Sequence, residues 1–429
     1  MTIPKTGMSI PKTGMSREAV LGELQAMRAD DLDWHSGRVF SLVYDAGDDV
    51  QELMSDAARM YAAENGLNPL VFPSVGRMQQ DIVDIAIGLL GGDPASGTPV
   101  EGLAGWTTSG GTESILMAVK TAREWGRATR DEQEPEIVLA TSAHAAFSKA
   151  AHYFGLKTVR VPVSDEYRAD VDAMDGAITD HTVLVVASAP QYPQGVIDPI
   201  PEIAASAADA GALCHVDACM GGFLLPFLER AGHAIPPFDF RVPGVTSMSA
   251  DVHKYGYANK GVSVVLYRDT DLQRRQAFVF SDWLGGFYAS SGVAGSKATS
   301  PFAAAWAVLH HLGEDGYVRL ATEAFDGRVA LEAGARATPG LTVLGAPETA
   351  ICAIAAVDPD ALDVFLVADG LRERGWYFDR QTPPDSLHAT VQAGNAQHVP
   401  ELLADLAAVV AAVGDRRTED RSTEYASLE

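Results

Sequence analysis

The spacing of apolar residues predicts a chain that alternates helices with strands. Over residues 17–64 the apolar side chains recur at intervals of three and four, which is typical of amphipathic helices. Residues 65–76 are rich in turn formers, and residues 81–90 resume the helical spacing. Short runs of β-branched residues, mostly separated by alanine-rich helical stretches, then predict strands over residues 136–140, 157–163, 182–188, 212–217, 244–249 and 262–267. Because strands that alternate with helices form parallel sheets, the fold class is α/β with a mainly parallel sheet.

The pattern changes after residue 301 and predicts a second, smaller unit. A long helix over residues 302–337 leads to two short strands at 341–344 and 350–356, and helices follow at 361–374 and 400–413. We therefore expect four regions. They are an N-terminal arm with helices (1–64), a large α/β domain (65–300), a linking helix with a small α+β domain (301–414), and a tail (415–429) whose charged and small polar residues predict disorder.

Composition narrows the class of protein. The 429 residues include 57 Asp and Glu against 32 Lys and Arg, and a net charge of −25 repels nucleic acid, which we exclude as a partner. Three cysteines are too few for a disulfide framework, and their spacing predicts no metal site. No apolar run is long enough to cross a membrane, and the start does not resemble a signal peptide. We expect a cytoplasmic protein without membrane insertion.

A glycine-rich segment, residues 107–114 (TTSGGTES), runs into a predicted helix. Gly110 and Gly111 allow backbone N–H groups to approach an anion, Ser109 and Thr112 add hydroxyl donors, and the helix N-terminus adds a partial positive charge. The segment lacks the Gly-Lys-Ser/Thr ending of a nucleotide-binding loop. It predicts a phosphate site, although an ordinary Ser/Thr helix cap explains the segment alone equally well.

Two further strand ends carry candidate chemistry. Asp217 ends one predicted strand, where its carboxylate suits a protonated ring nitrogen or, equally, a turn cap. Lys254 follows another strand among aromatic neighbours, where a partly desolvated amine suits a Schiff base, although a surface lysine is the simpler interpretation. His144, near the same sheet edge, is suited to stack on a ring or to begin a helix. A phosphate site, an acid and a lysine in this order are what a pyridoxal phosphate site requires.

The residues also resemble a known family. The matching segments are TSGGTESILMA (108–118), SAHAAFSKAAHYFG (142–155), PQYPQGVIDPIPE (190–202), HVDACMGGFL (215–224), PFDFRVPGVTSMSADVHKYGYANKGVSVVLY (237–267) and DWLGGFYASSGVAGS (282–296). They resemble the group II pyridoxal-phosphate-dependent decarboxylases of fold type I, and within that family the sphingosine-1-phosphate lyases. The resemblance implies an aspartate aminotransferase-like large domain.

The resemblance assigns the cofactor site residue by residue. It implies that Lys254 is the Schiff-base lysine, Asp217 the partner of the pyridinium nitrogen and His144 the histidine stacked on the ring. The positions that match the phosphate site are Ser109, Gly110, Gly111, Thr112 and His253. Gly295 and Ser296 match a loop that, in the family, reaches the cofactor phosphate of the neighbouring subunit. A homodimer with active sites at the subunit interface is therefore expected.

The substrate side is also assigned by resemblance. The positions concerned are Tyr44, Asn65, Asn68, Tyr192, Cys219 and Lys260. Lys260 is the candidate for binding the substrate phosphate, and Tyr192, Tyr44 or the leaving phosphate itself are candidates for the base. Three positions depart from the lyase pattern: Asn68 replaces a histidine, Asn259 a proline and Lys297 an arginine.

The expected activity is cleavage of sphingosine-1-phosphate, or a related phosphorylated sphingoid base, to a fatty aldehyde and phosphoethanolamine. Two alternatives remain open. An amino-acid decarboxylase uses the same cofactor but breaks the bond to a carboxylate, and residues on the substrate side decide between the two reactions. A catalytically inactive pyridoxal-phosphate-binding scaffold is the alternative from another class.

Overall fold

The computed structural model describes residues 9–92 and 100–423. Two short 3-10 turns, Arg28–Asp30 and Trp34–Ser36, follow the first helix. The α-helices are α1 Arg17–Met27, α2 Asp48–Met60, α3 Pro73–Leu90, α4 Gly111–Arg130, α5 Ala146–Phe154, α6 Val171–Ala177, α7 Ile200–Asp209, α8 Leu225–Arg230, α9 Thr270–Gln276, α10 Ser300–Ala337, α11 Val364–Arg372, α12 Ala393–Ala396 and α13 Val399–Val413.

The strands form three sheets, and most follow the pattern of β-branched runs. They are β1 Ala104–Thr108, β2 Glu136–Ala140, β3 Lys157–Val161, β4 Thr182–Ser188, β5 Leu213–Asp217, β6 Val245–Ala250, β7 Ser263–Tyr267, β8 Phe278–Phe280, β9 Tyr288–Ser290, β10 Leu341–Val343, β11 Ile351–Ala356, β12 Asp379–Gln381 and β13 Ser386–Thr390.

The large sheet has seven strands in the order β1-β7-β6-β5-β4-β2-β3. β7 runs antiparallel to both of its neighbours, and the other strands all run in one direction. β2, β4 and β5 are buried along their whole length, as expected of strands covered on both faces. The mainly parallel α/β sheet predicted from the sequence is confirmed.

Helices cover both faces of this sheet. One core includes Ile82 of α3 and Val308 of α10, packed with Val185 and Val216 of the central strands. The core on the opposite face contains residues of α4 and α5, including Phe147. The sheet is therefore the middle layer of three, and its strand ends are held in fixed positions.

The small domain is built on the antiparallel sheet β10-β11-β13-β12, with α11 and α13 contributing to its core. The sequence predicted β10 and β11 but missed β12 and β13. β12 was missed because its sequence, Asp-Arg-Gln, has no apolar alternation. Phe40, from the segment after the first helix, is fully buried in this core. The segment that contains Phe40 is bound to the small domain through its backbone, because Val39 forms a β-bridge with Tyr377.

Helix α10 joins the two domains and contains one break, at Gly313, where φ is +58°. A positive φ of this kind is easily adopted only by glycine. Phe302 and Ala324 of this helix belong to the core of the large domain, whereas Leu331 and Ala335 belong to that of the small domain. The helix is therefore shared between the two cores.

One predicted boundary and one missed strand need correction, and the ends of the chain are only partly described. The helix expected over residues 81–90 begins earlier, at Pro73, because proline is well suited to the first helical position. β1 was missed altogether. The first eight residues of the predicted arm and the last six of the predicted tail lie outside the described residues. Within the described ranges, no helix has the length and apolar character needed to cross a bilayer.

The direction of the strands places the candidate residues at one edge. β1, β2, β4, β5 and β6 run the same way, so their carboxyl ends meet along this edge. Ligands of open α/β sheets bind there. The loops that leave these five strands carry the candidate cofactor residues from Ser109 to Lys254, together with Tyr192, Cys219 and Lys260.

Candidate active site

Asp217 is the last residue of β5 and is buried. Its Oδ1 accepts a hydrogen bond from the backbone N–H of Cys219 at 3.1 Å and another from Oγ of Ser249 at 3.0 Å. The first bond is the turn cap that the sequence allowed, and the carboxylate also lines a cavity at the sheet edge. The two roles are compatible, because the cap and the serine fix the orientation of the carboxylate.

Lys254 lies in the loop after β6, with its Nζ 2.9 Å from Oδ2 of Asp251. Asp251 is buried, and its Oδ1 accepts a hydrogen bond from Oγ of Ser263 at 2.6 Å. Burial alone would raise the pKa of Asp251, but the charges of Lys254 and His253 and the bond from Ser263 outweigh burial and lower it. The Lys254 amine therefore faces an ionised partner, which the sequence analysis did not identify.

The glycine-rich loop lies between the end of β1 and the first residue of α4, Gly111. A Cβ atom added to Gly111 would lie 2.7 Å from Sγ of Cys219 and 2.8 Å from both carboxylate oxygens of Asp251. No larger residue fits there without displacing them. The backbone N–H of Ser109 donates to Oε2 of Glu113 at 2.7 Å, so this donor is already engaged within the loop.

His144 lies in the turn after β2, two residues before α5 begins. Its Nδ1 accepts a hydrogen bond from the backbone N–H of Ala146 at 3.1 Å, so the neutral ring carries its proton on Nε2. Burial lowers the pKa of His144, and the nearby charge of Asp217 only partly opposes this effect. The imidazole is therefore neutral at pH 7.

A cavity of about 330 Å³ brings most of the predicted cofactor residues together. The predicted residues that line it are Ser109, Gly110, Gly111, Thr112, His144, Asp217, Cys219, His253, Lys254 and Lys260. We call it the Lys254 cavity. His253 is held in its wall by a hydrogen bond from Nδ1 to the backbone oxygen of Val262 at 2.8 Å.

A smaller cavity of about 160 Å³ shares Lys254, His253 and Lys260 with the first and adds both candidate tyrosines. The hydroxyl of Tyr192 donates to Oδ2 of Asp379 at 2.8 Å. The hydroxyl of Tyr44 donates to Sδ of Met220 at 3.8 Å, a weak contact. The hydroxyls of the two tyrosines therefore differ in their hydrogen-bond acceptors, a carboxylate for Tyr192 and a thioether for Tyr44.

Lys260 lines both cavities beside these tyrosines, and part of its surface is exposed in the single chain. Its Nζ donates to the backbone oxygen of His253 at 3.2 Å and lies 5.4 Å from the centre of the Tyr44 ring. Burial and, to a smaller extent, repulsion from Lys254 lower the pKa of Lys260 to about 8, against a smaller opposite effect of Asp251. At neutral pH this amine still carries a positive charge for an anion.

Asn65, Gly295 and Ser296 lie in one region, and none of them lines the Lys254 cavity. Nδ2 of Asn65 donates to Oγ of Ser296 at 3.1 Å, and Gly295 lines a different cavity of about 370 Å³. Asn68 closes a local turn, since its Oδ1 accepts from the backbone N–H of Leu70 at 3.0 Å. A single chain therefore does not bring these residues to the Lys254 cavity.

Sequence reasoning missed Asp251, Asp379 and Ser41, which all lie at or behind the cavity walls. Asp251 stood inside a quoted motif, three residues before Lys254, where only its charge pointed to a role. Asp379 and Ser41 are 338 residues apart in the chain and hydrogen-bonded to each other. No local pattern in the sequence indicates that contact.

Known proteins resemble the chain over most of its length. Residues 4–342 match the family described as the pyridoxal-dependent decarboxylase conserved domain. The chain is 39% identical to a sphingosine-1-phosphate lyase of Oryza sativa subsp. japonica, over 90% of this chain and 71% of that protein. It is 42% identical to sphingosine-1-phosphate lyase 1 of Rattus norvegicus, over 90% of this chain and 65% of that protein.

Solved structures show the same resemblance. The sphingosine-1-phosphate lyase of Burkholderia pseudomallei is 38% identical and superposes with a TM-score of 0.90, covering 95% of this chain and 93% of that one. A glutamate decarboxylase of Lactobacillus brevis superposes with a TM-score of 0.81 at 20% identity, over 97% of each chain. At that identity the second similarity concerns the fold alone.

Proposed function

The chain belongs to the pyridoxal-dependent decarboxylase family, and on that basis we propose that it is a sphingosine-1-phosphate lyase. It cleaves a phosphorylated long-chain amino alcohol between the carbon that bears the hydroxyl and the carbon that bears the amine. The products are a fatty aldehyde and phosphoethanolamine. The relatives named as lyases are 38–42% identical to this chain, whereas the decarboxylase is 20% identical.

One observation carries the proposal: Lys254, Asp217 and His144 arrive from three different strand ends and line one cavity. The sequence alone left each of them with an ordinary structural interpretation. Their convergence beside the start of α4 supports the combined interpretation instead. The predicted roles of these residues are proposals that variants must test.

The residues fit pyridoxal phosphate. The absence of a Cβ at Gly111 leaves the start of α4 open at the cavity, where the helix N-terminus favours a phosphate. Lys254 supplies the amine, and Asp217 supplies an oriented carboxylate for a ring nitrogen. When bound, pyridoxal phosphate supplies a ring that accepts the electron pair released as the carbon–carbon bond breaks.

The residues of the chain prepare the substrate for that cleavage. With the cofactor bound, Asp217 would hold a proton at the ring nitrogen, and the neutral imidazole of His144 would pack against the ring. Lys260 would bind the substrate phosphate through its positive charge and thereby orient the bond to be broken. Tyr192 and Tyr44 both line the second cavity and are its candidate bases.

We also propose a homodimer in which Gly295 and Ser296 serve the neighbouring subunit. Neither residue lines the Lys254 cavity of its own chain, which supports this arrangement. The hairpin of β8 and β9 exposes large apolar side chains close by, including Phe278 and Phe287. Contiguous apolar surface of this kind is typical of a subunit interface. The cytoplasmic location stays a prediction.

The test is turnover of sphingosine-1-phosphate by the purified protein loaded with pyridoxal phosphate. Aldehyde and phosphoethanolamine are both quantified, and a panel of amino acids is assayed for carbon dioxide. Equal amounts of the two products support the lyase, and carbon dioxide without aldehyde supports an amino-acid decarboxylase.

Variants of two lysines complete the test. Lys254→Ala should abolish both turnover and the visible absorbance of the bound cofactor. The exposed Lys149, changed to Ala, is the matched control and should retain both. Visible absorbance in the wild type with no turnover of any amine would indicate a scaffold, and turnover by Lys254→Ala would contradict the assignment of that lysine.

A further inference from the structure

The hydroxyl of Tyr192 is tied to a buried carboxylate that comes from the small domain. Oη of Tyr192 donates to Oδ2 of Asp379 at 2.8 Å, and the same oxygen accepts a short hydrogen bond from Oγ of Ser41. Tyr192 follows β4 of the large domain and Asp379 begins β12. Ser41 follows Phe40 in the N-terminal segment that is bound to the small domain. Asp379 is 5% exposed and Ser41 is 2% exposed.

Titratable groups from several elements surround Asp379. His388 lies opposite it across the β12–β13 pair, stacks on the Tyr192 ring at 3.9 Å and bonds through Nε2 to Oγ1 of Thr390 at 2.7 Å. Burial lowers the pKa of His388 to about 4, so this ring is neutral under assay conditions. Arg380, the next residue, pairs instead with Asp369 and Asp420. Across the cavity stand the amines of Lys254 and Lys260.

We propose that Asp379 is a positioning residue that makes Tyr192 the base of the carbon–carbon cleavage. The inference rests on the proposed function and identifies the residue that takes the proton from the substrate hydroxyl. A phenol whose own proton is directed at a carboxylate can pass that proton on while its oxygen accepts another. Tyr192 touches the substrate in this scheme, and Asp379 acts only through Tyr192.

The protons balance over one turnover. The O–H bond of the substrate hydroxyl breaks, its proton moves to Oη of Tyr192, and the phenolic proton moves to Oδ2 of Asp379. The O–H electrons form the carbonyl of the aldehyde, and the electron pair of the carbon–carbon bond stays with the carbon that bears the amine. That carbon needs a proton in the product, and the return of the proton through Tyr192 leaves Asp379 ionised again.

The hydroxyl of Tyr44 has a different acceptor from that of Tyr192. It contacts the thioether of Met220, which is a weak acceptor and does not take up a proton. Its ring packs edge-on against Tyr255, with the ring centres 5.0 Å apart. The contacts therefore favour Tyr192 over Tyr44 as the base, a choice that the sequence left open.

The experiment compares Asp379→Asn, Tyr192→Phe and the double variant in the aldehyde assay. Each single change should lower kcat by roughly a hundred-fold and change KM by less than about two-fold, because a proton acceptor is lost while binding is kept. The double variant should be no slower than Tyr192→Phe, because the two residues act as one unit. Asp369→Asn, which changes another carboxylate of the same domain, is the matched control and should retain kcat within about three-fold.

The split between kcat and KM separates this role from a structural one, because a disturbed cavity wall would raise KM as well as lower kcat. Tyr192→Phe removes only the hydroxyl and keeps the ring that stacks on His388. This variant keeps the proposal testable if Asp379→Asn does not fold.

Three outcomes overturn the proposal. A wild type that releases no aldehyde removes the proposed function and this inference together. A wild type that is active while Asp379→Asn keeps its kcat removes the inference alone. The same holds if the effects of Asp379→Asn and Tyr192→Phe on kcat simply multiply, since independent residues behave in that way.

Discussion

Burial sets the charge of the individual groups around Lys254. It lowers the pKa of both His144 and Lys260, the first to a neutral ring and the second to about 8. Asp251 remains ionised in spite of its burial because Lys254 and His253 lie against it. The cavity thus combines the neutral imidazole of His144, the ion pair of Lys254 with Asp251, and the amine of Lys260, whose positive charge is lost at mildly alkaline pH.

The charge of Lys260 predicts a pH dependence on the alkaline side. A lysine with a pKa of about 8 is charged below that pH and neutral above it, so kcat/KM should fall as the pH rises through about 8. Lys260→Met should lower kcat/KM by roughly ten- to a hundred-fold at neutral pH and should remove this alkaline limb. Steady-state kinetics across pH check both effects, with Lys149→Ala as control. An alkaline limb retained in Lys260→Met would assign it to another group.

At the scale of helices and strands, local sequence predicted the elements that have a strong apolar period. It also pointed to the candidate cofactor residues, because each of them follows directly on such an element. β12 was not predicted because it is polar, and Asp379 was therefore not identified. Ser41 and Asp379 are 338 positions apart in the chain, so no local pattern links them. Asn65 and Ser296 were assigned to the site by resemblance, and in one chain neither of them lines the Lys254 cavity.

The tight contact at the start of α4 predicts the effect of one methyl group. Gly111→Ala would place a Cβ against Cys219 and Asp251, where only a shift of the helix end relieves the overlap. Overpacking of this size costs about 1–3 kcal/mol, so the affinity for pyridoxal phosphate should fall roughly ten-fold or more. Titration with the cofactor measures it. Gly88→Ala, in α3 with open space around it, is the control and should bind normally.

Asp363 stabilises the start of α11. Its carboxylate accepts from the backbone N–H groups of Phe365 and Thr418 and pairs with Arg421 at 2.9 Å. Burial would raise the pKa of Asp363, but these partners outweigh burial and lower it. Asp363→Ala should therefore reduce the free energy of unfolding by about 1–3 kcal/mol at neutral pH.

The same pKa sets the sign of the pH effect on stability. A carboxylate with a lowered pKa stabilises the fold where it is ionised, and this contribution is lost as the pH falls through the folded-state pKa. The difference in unfolding free energy between wild type and Asp363→Ala should therefore shrink at acid pH. Denaturant unfolding at neutral and acid pH measures it, with the exposed Asp360→Ala as control. A difference that grows on acidification would contradict this assignment.

On the scale of the whole molecule, two features favour the proposed homodimer. They are the exposed apolar surface and the position of Gly295 and Ser296 outside the Lys254 cavity. The side chain of Trp283 is 54% exposed and that of Phe287 is 73% exposed, on the loop that leads to Gly295 and Ser296. Isolated apolar residues on a surface need no explanation, but a cluster beside a predicted site segment does. A two-fold symmetric dimer would bury the cluster and place Ser296 of one subunit near Lys254 of the other.

Mixed dimers test that arrangement. Lys254→Ala and Ser296→Asp should each be inactive as pure dimers, the second because a carboxylate repels the cofactor phosphate. Random mixing of the two should restore about one quarter of the wild-type sites, because half of the dimers then contain one intact site. Refolding or co-expression of the two variants, followed by the aldehyde assay, measures this. Mixtures without activity would mean that Ser296 serves its own subunit.

The burial of Phe40 in the small domain also orders events during synthesis. The other members of that core lie between Leu331 and Val413, so the segment that carries Ser41 and Tyr44 has no packing partner when it leaves the ribosome. At about 5–20 residues per second it waits on the order of tens of seconds for that partner. A ribosome that stalls before β12 therefore exposes a nascent chain whose large domain is nearly complete and in which Asp379 has not yet been made.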